Sequence, residues 1–118
     1  MTASKIIDKA ILLLGYDTLK NTGSISGFEH AALTALNIVY ADIFYLYNFK
    51  GFKEITDVSQ PVDLNEKAIF DVMPYGVAAF LASSQGDSDN QQFFSQIYNL
   101  KRKNLISGGA VEDSIPVV

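Results

Sequence analysis

The chain has 118 residues, 48% of them hydrophobic, and this size fits one domain with an apolar core. It contains no cysteine, which excludes disulfides, thiolate catalysis and thiolate metal sites. Its net charge of −4 argues against general nucleic-acid binding, because neutralising phosphates needs an excess of Lys and Arg.

The first predicted helix covers residues 4–14. Its apolar side chains recur at three- and four-residue intervals and are Ile7, Ala10, Ile11 and Leu14. Gly15 follows at the position of a left-handed C-terminal cap. Residues 16–27 predict a loop, at whose end Ser26 and Glu29 have the spacing that caps the start of a helix.

The second predicted helix, at about 28–48, is roughly 30 Å long and is expected to be the central helix of the domain. One stripe of it comprises Leu33, Leu36, Tyr40, Ile43, Phe44 and Tyr47. Most of the remaining circumference is also apolar, with Ile38, Val39, Tyr45, Leu46 and Phe49. Three shorter helices cannot easily cover such a helix on all sides, so we expect part of its aromatic surface to meet another subunit.

The same helix contains a stretch, residues 31–49, with about the length of a membrane span. Asp42 within it would cost roughly 2.5–3.5 kcal/mol near the centre of a bilayer, and tyrosines lie in the same stretch. We therefore expect a soluble helix and no contact with a membrane.

Residues 50–63 contain a glycine and a proline among short β-prone pieces and predict a loop or small hairpin that projects from the helices. A third helical stretch follows through Ser84, with Asp63 and Glu66 at capping spacing near its start. Pro74 must kink this stretch or begin a new helix. The small residues that permit close approach of other helices are Gly76, Ala78, Ala79 and Ala82.

The fourth predicted helix has the clearest start signals, because Gly86 ends the preceding helix and Ser88 with Gln91 has the spacing of a capping box. Its apolar face comprises Phe93, Phe94, Ile97 and Tyr98. Its last turn is expected to carry the basic residues Lys101, Arg102 and Lys103. The helix dipole favours cations there, and contact with an acidic neighbour is the alternative role. Gly108 and Gly109 are expected to end regular structure.

Together these elements predict an all-α fold, a small four-helix bundle over residues 1–105 with a protruding loop or hairpin at about 50–63. Residues 106–118 are expected to form an extended C-terminal tail. The alternatives for this short apolar tail are disorder and addition as a strand to the sheet edge of a partner.

No catalytic, cofactor-binding or metal-binding site is predicted. Asp87 and Asp89 are spaced like the start of a calcium loop, but Tyr98 occupies the position of its bidentate Glu, so a helix cap is favoured. His30 lacks the second His at one-turn spacing that zinc needs and is expected at the surface. Asp42 is expected to pair with a cation across a helix or subunit interface, with a catalytic carboxylate as the alternative.

An ordered set of residues extends over about 4–104. In the first half it comprises Ala10 to Gly15, Leu36, Asn37, Tyr40 and Asp42. In the second half it comprises Pro74 to Ala78, Leu81, Ala82, Gly86 to Asp89, Phe94 and Tyr98 to Arg102. Together they resemble the head-tail connector (adaptor) proteins of tailed bacteriophages and prophages.

The resemblance implies a helical-bundle virion subunit that forms a ring, typically of twelve copies, below the portal protein at the capsid exit. Its implied partners are further copies of itself, the portal, and the tail or next neck protein. It would be assembled in the host cytoplasm and reside in the virion neck, where DNA passes through without sequence-specific binding. The acidic composition suits a channel through which DNA must slide without sticking.

The resemblance and the aromatic second helix together give an expected subunit interface. Its residues are Tyr40, Phe44, Tyr45, Tyr47, Tyr98, Lys101 and Arg102. Family members often use the C-terminal segment to reach the portal, which here implies Ile115, Pro116, Val117 and Val118.

Other interpretations remain open. Another neck or tail-completion protein would use the same kind of contacts with a different partner ring. A small helical regulator that dimerises through the second helix would have a two-fold interface in place of a ring. An enzyme would need His30 and Asp42 as an acid-base pair, and these lie more than three turns apart on one helix.

Overall fold

The computed structural model describes residues 1–16 and 28–114, and of residues 107–114 the backbone only. Within these ranges the four α-helices are α1 (Ala3–Leu14), α2 (Phe28–Leu46), α3 (Met73–Ser84) and α4 (Ser88–Ser114). A π-helix, Ala68–Val72, leads directly into α3. The described ranges contain no β-strand, so the predicted all-α four-helix bundle is confirmed. The predicted cap at Ser26 lies outside the described residues.

Helix α1 has the ends and the buried face that its sequence predicts. The Thr2 hydroxyl accepts a hydrogen bond from the Lys5 amide at 3.4 Å and caps the first turn. Gly15 ends the helix with a φ of 80°, a conformation that costs glycine little. All four predicted apolar residues of this helix are buried, together with Ala3 and Ile6.

Helix α3 is the central element, because it packs against α1, α2 and α4. The expectation that the second helix would be central is therefore wrong. Nearly every residue of α3 is small or apolar, and eight of its side chains or glycine positions are buried. A helix with a narrow surface lets three neighbours approach it closely, whereas the bulky α2 cannot be surrounded in this way.

The buried face of α2 is rotated from the predicted stripe. The buried residues are Phe28, Ala32, Ala35, Leu36, Val39, Tyr40 and Ile43. Leu33, Phe44 and Tyr47 are only half-buried, because the two alanines and Val39 turn toward the core and allow close helix packing. The displaced Phe44 ring packs on the following loop, where Phe52 lies 5.5 Å from it and 5.0 Å from the buried Tyr40 between ring centroids.

Residues 50–63 form a loop, and no paired strands of a hairpin occur among the described residues. The Asn37 amide donates to the Ile55 carbonyl at 2.8 Å, and its Oδ1 accepts from the Ile55 amide at 2.7 Å. The Ile55 and Val62 side chains are buried. At the far end, the Val62 amide donates to the Met1 carbonyl at 3.0 Å. The loop is thus anchored to the helices at both ends and does not stand free of them.

The start of the third helical stretch, and its change from π-helix to α-helix, both have local causes. Asn65 caps it, since its Oδ1 accepts from the Ala68 amide at 2.8 Å, so the predicted cap at Asp63 is wrong. Pro74 lies at the start of α3, so of the two predicted outcomes, a kink or a new helix, the new helix is observed. Proline has no N–H to donate to the carbonyl one turn before it, and the Phe70 carbonyl accepts instead from Lys9 Nζ at 3.1 Å.

Helix α4 differs from its prediction at both ends. Gly86, with a φ of 73°, ends α3 as predicted, but the capping residue is Asp87, whose Oδ1 accepts from the Asn90 amide at 3.3 Å, and not Ser88. The helix continues through Gly108 and Gly109 to Ser114. The extended tail is therefore wrong for residues 106–114, and residues 115–118 lie outside the described part of the chain. Glycine costs a helix about 1 kcal/mol but does not forbid one.

Among the residues that the structure describes, no helix has the length and apolarity needed to cross a bilayer.

We predict that Asn37→Ala releases the loop from α2. The substitution removes both hydrogen bonds to Ile55 and should lower the free energy of unfolding by about 1–2 kcal/mol. Limited trypsin digestion should then cleave faster after Lys53, which lies in the released segment. Thr34→Ala, at an exposed position one turn earlier, is the matched control. Equal cleavage rates in the two variants would contradict the anchoring role.

We predict that Gly76→Ala destabilises the bundle. A Cβ at this position would lie 2.6 Å from Tyr98 Cε1 and 2.9 Å from Val39 Cγ2, so the Tyr98 ring must move. The expected loss is about 1–3 kcal/mol in chemical denaturation. The sign of the change in stability shows whether this position is crowded, because Gly→Ala in an uncrowded helix stabilises by about 1 kcal/mol. Ser83→Ala, exposed on the same helix, should change stability little.

Candidate functional site

A carboxylate, a phenol and a guanidinium meet between α2 and α4. The Tyr98 hydroxyl donates to Asp42 Oδ2 at 2.6 Å. Arg102 Nε donates to the same oxygen at 2.6 Å, and Arg102 Nη2 donates to Asp42 Oδ1 at 3.0 Å. The Arg102 contact is therefore bidentate, the geometry in which a guanidinium binds a carboxylate best. The predicted pairing of Asp42 with a cation is confirmed, and the cation belongs to another helix of the same chain.

The position of these three residues follows from the packing around Gly76. The Tyr98 ring lies against Gly76, where a larger residue would leave no space for it. Arg102 follows Tyr98 by one turn of α4, so the two side chains share a face of that helix and reach Asp42 together. Tyr98 is buried, whereas the side chains of Asp42 and Arg102 are each about one-third exposed.

The cluster shifts the pKa of each of its members. Partial burial raises the pKa of Asp42, but the hydrogen bonds from Arg102 and Tyr98 more than offset this, so its pKa lies below the ordinary 3.8. Burial, and then the hydrogen bond to Asp42, raise the pKa of Tyr98. The bond to Asp42 raises the pKa of Arg102. At neutral pH the cluster is a carboxylate held between a guanidinium and an un-ionised phenol, which favours a structural role over acid-base catalysis.

This cluster forms the floor of an open groove that we call the α2–α4 groove. It is lined by Ile38, Asp42, Ala79, Phe80, Ser95, Tyr98, Asn99 and Arg102, and its volume is about 500 Å³. Ile38 and Phe80 stand beside the polar floor and are 44% and 41% exposed. The groove therefore combines apolar walls with a floor whose charges are already paired.

The other flank of α4 carries a second apolar feature, which we call the α4 ridge and define as Phe93 and Leu100. These side chains are 57% and 62% exposed. At about 100° per residue, Leu100 lies roughly 200° around the helix from Arg102, so ridge and groove occupy opposite flanks of α4. Lys101, next to the ridge, pairs with Asp71 at 2.9 Å.

The predicted interface residues are distributed between the core and the surface. Tyr40 and Tyr98 are buried within the subunit, so an exposed role for these two is wrong. Phe44 and Tyr47 are half-buried and Tyr45 is 57% exposed. Lys101 and Arg102 form ion pairs within the chain and lie well before the end of α4, so their predicted place in its last turn is wrong. Ile115, Pro116, Val117 and Val118 lie outside the described residues.

The groove walls and the ridge were not predicted as sites. The sequence pattern placed Phe93 on the apolar face of α4, which is wrong, because Phe93 is 57% exposed. Phe94 takes the buried position, and the two rings meet edge to face at 5.0 Å between centroids.

The acidic corner at Asp87 has a structural role. Its Oδ2 accepts from the Tyr16 hydroxyl at 2.7 Å and from the Asn90 amide group at 2.7 Å, so the side chain ties the end of α1 to the start of α4. Burial and this contact raise the pKa of Tyr16 to about 12. His30 is exposed, as predicted. Across residues 1–16 and 28–114, no group of three His, Cys, Asp or Glu side chains is placed to hold a metal ion.

Comparisons of the chain with protein-family models, with curated proteins and with solved structures each found no match.

We predict that Asp42→Asn lowers the free energy of unfolding by about 1–2 kcal/mol at pH 7, since it removes the charge that holds Arg102. The pKa of Asp42 is lower in the folded protein than in the unfolded chain. Its contribution is therefore complete above the ordinary pKa of 3.8 and is lost as pH falls further. Denaturant titrations of the two proteins should thus converge below about pH 4.

The matched control for this prediction is Asp71→Asn, which removes the other ion pair from the opposite flank. Because the Asp71 side chain is about half exposed, its loss should cost less than about 0.5 kcal/mol. An equal loss in both variants would show that the Asp42 cluster contributes no more than a surface pair.

Proposed function

We propose that the chain is a structural subunit of the neck of a tailed-phage virion, a head-tail connector that forms a ring beneath the portal. The observation that supports this best is the placement of exposed apolar surface on two opposite flanks of α4, the ridge and the groove. A subunit that uses two different surfaces to contact two neighbours makes heterologous contacts, and such contacts generate closed rings when the rotation between neighbours closes. The resemblance in the ordered residue set supplies the phage context.

The charges also support a channel-lining structural role. The chain carries a net charge of −4, and two basic residues beside the candidate contact surfaces, Lys101 and Arg102, are bound to Asp71 and Asp42, whereas Lys103, one turn after Leu100, is exposed. The charges of Lys101 and Arg102 are thus offset within the subunit, which lowers the attraction for phosphates there. The net negative charge of the subunit also agrees with a channel wall that does not retain DNA.

The described residues also offer little for catalysis. Asp42, the carboxylate within the apolar helix α2, is engaged by both Arg102 and Tyr98. His30 and Asp42 lie on one helix more than three turns apart, which leaves them without the direct contact that an acid-base pair needs. Assembly therefore accounts for the site better than catalysis does.

Native mass spectrometry of the protein alone and mixed with a portal ring tests this proposal. We expect a closed ring of about twelve copies, either in the free protein or only after the portal is added. A stable dimer that ignores the portal would contradict it and favour a small dimeric regulator. A closed ring that binds a tail-tube ring in preference to the portal would instead indicate a tail-completion protein.

A further inference from the structure

We propose that the α4 ridge of one copy inserts into the α2–α4 groove of the next copy, so that Leu100 and Phe93 contact Ile38 and Phe80. This inference rests on the proposed ring and names the two surfaces that would form it. The proposed occupant of the groove is a second copy of this chain.

The ridge protrudes from the subunit and the groove is recessed into it. Phe93 and Leu100 are seven residues apart, so they project from the same side of α4 about 10 Å apart along its axis. The groove has a volume of about 500 Å³, and its exposed walls, Ile38 and Phe80, come from two different helices. A convex pair of apolar side chains on one flank thus faces a concave apolar surface on the other, as a head-to-tail contact requires.

Charge explains why the occupant should be another copy. Two copies of a chain with a net charge of −4 repel each other unless they meet at neutral surfaces. The floor of the groove is neutralised by the pair Asp42–Arg102, and the charges beside the ridge are neutralised by the pair Asp71–Lys101. Both pairs are internal to one subunit, and the exposed Lys103, one turn after Leu100, adds a positive charge beside the ridge that offsets part of the repulsion between two acidic copies.

The amount of exposed apolar surface indicates a weak individual contact. Phe93 and Leu100 together expose on the order of 200–300 Å², given that a large side chain covers about 150–250 Å². A stable pairwise interface needs about 800 Å² from each partner. One ridge in one groove is therefore too small to hold two copies together tightly, whereas ring closure gives every subunit two such contacts.

Cysteine cross-linking can test the pairing directly, because the chain has no cysteine of its own. Four single variants are made: Leu100→Cys on the ridge, Ile38→Cys and Phe80→Cys on the groove walls, and Leu12→Cys as the control. Leu12 is 67% exposed and lies on α1, which belongs to neither surface. Each variant is treated with a short bismaleimide alone and in pairwise mixtures, and circular dichroism confirms that it is folded.

We expect the mixture of Leu100→Cys with Phe80→Cys, or with Ile38→Cys, to give at least about fivefold more covalent dimer than any variant alone, because a heterologous contact never brings the same residue of two copies together. Efficient cross-linking of Leu100→Cys to itself would overturn the proposal, since it would indicate a two-fold ridge-to-ridge contact. Equal product with Leu12→Cys in place of Leu100→Cys, or no product in either mixture after a portal ring is also added, would overturn it as well.

The cross-linking result can be distinguished from the result of native mass spectrometry, which tests the proposed function. If native mass spectrometry finds a ring on the portal but the ridge and groove cysteines do not cross-link within it, the connector assignment stands and this pairing fails. If the mixtures cross-link but the portal has no effect, the pairing stands and the connector assignment fails.

Discussion

The whole arrangement depends on the absence of a side chain at Gly76. The Tyr98 ring of α4 and the Val39 side chain of α2 both reach the space where a Cβ would be. This close approach brings α2 and α4 together over the same position on α3, where Asp42 and Arg102 meet. A side chain at this position would displace the Tyr98 ring, which also donates to Asp42.

Two ion pairs made by α4 offset charges at the surface of the subunit. Adjacent residues, Lys101 and Arg102, point to different helices and bind Asp71 and Asp42. Each pair has a modest effect on stability because it is partly exposed. Their larger effect is to remove net charge from two opposite flanks of an acidic protein, where exposed apolar side chains also lie. In the proposed ring, apolar contacts between copies would then carry a smaller electrostatic penalty.

Local signals in the sequence predicted local structure well. The apolar spacing of α1 and the glycines at positions 15 and 86 determine structure through a few neighbouring residues, and all were confirmed. The rotation of α2 was not predicted, because a small residue such as Ala35 faces the core only when a neighbouring helix needs to approach closely. Gly108 and Gly109 were read as an end of structure, whereas weak helix propensity lowers stability without setting a boundary.

The candidate site was predicted only in part for the same reason. A carboxylate within an apolar helix requires a partner, so a cation for Asp42 followed from the sequence. Its identity depends on the packing of α4 against α3, 60 residues further along the chain, which no local pattern encodes.

The attachment of the loop to α2 through Asn37 has a consequence for how this protein can change over evolution. A primary amide presents the same donor and acceptor as a peptide group, so Asn37 acts as a one-residue substitute for a neighbouring strand. It binds the main chain of Ile55, which every amino acid except proline provides in full. The exposed positions on either side of Ile55 are therefore free to vary in side chain while the path of the loop stays the same, and new surface specificity can evolve there without a cost to the bundle.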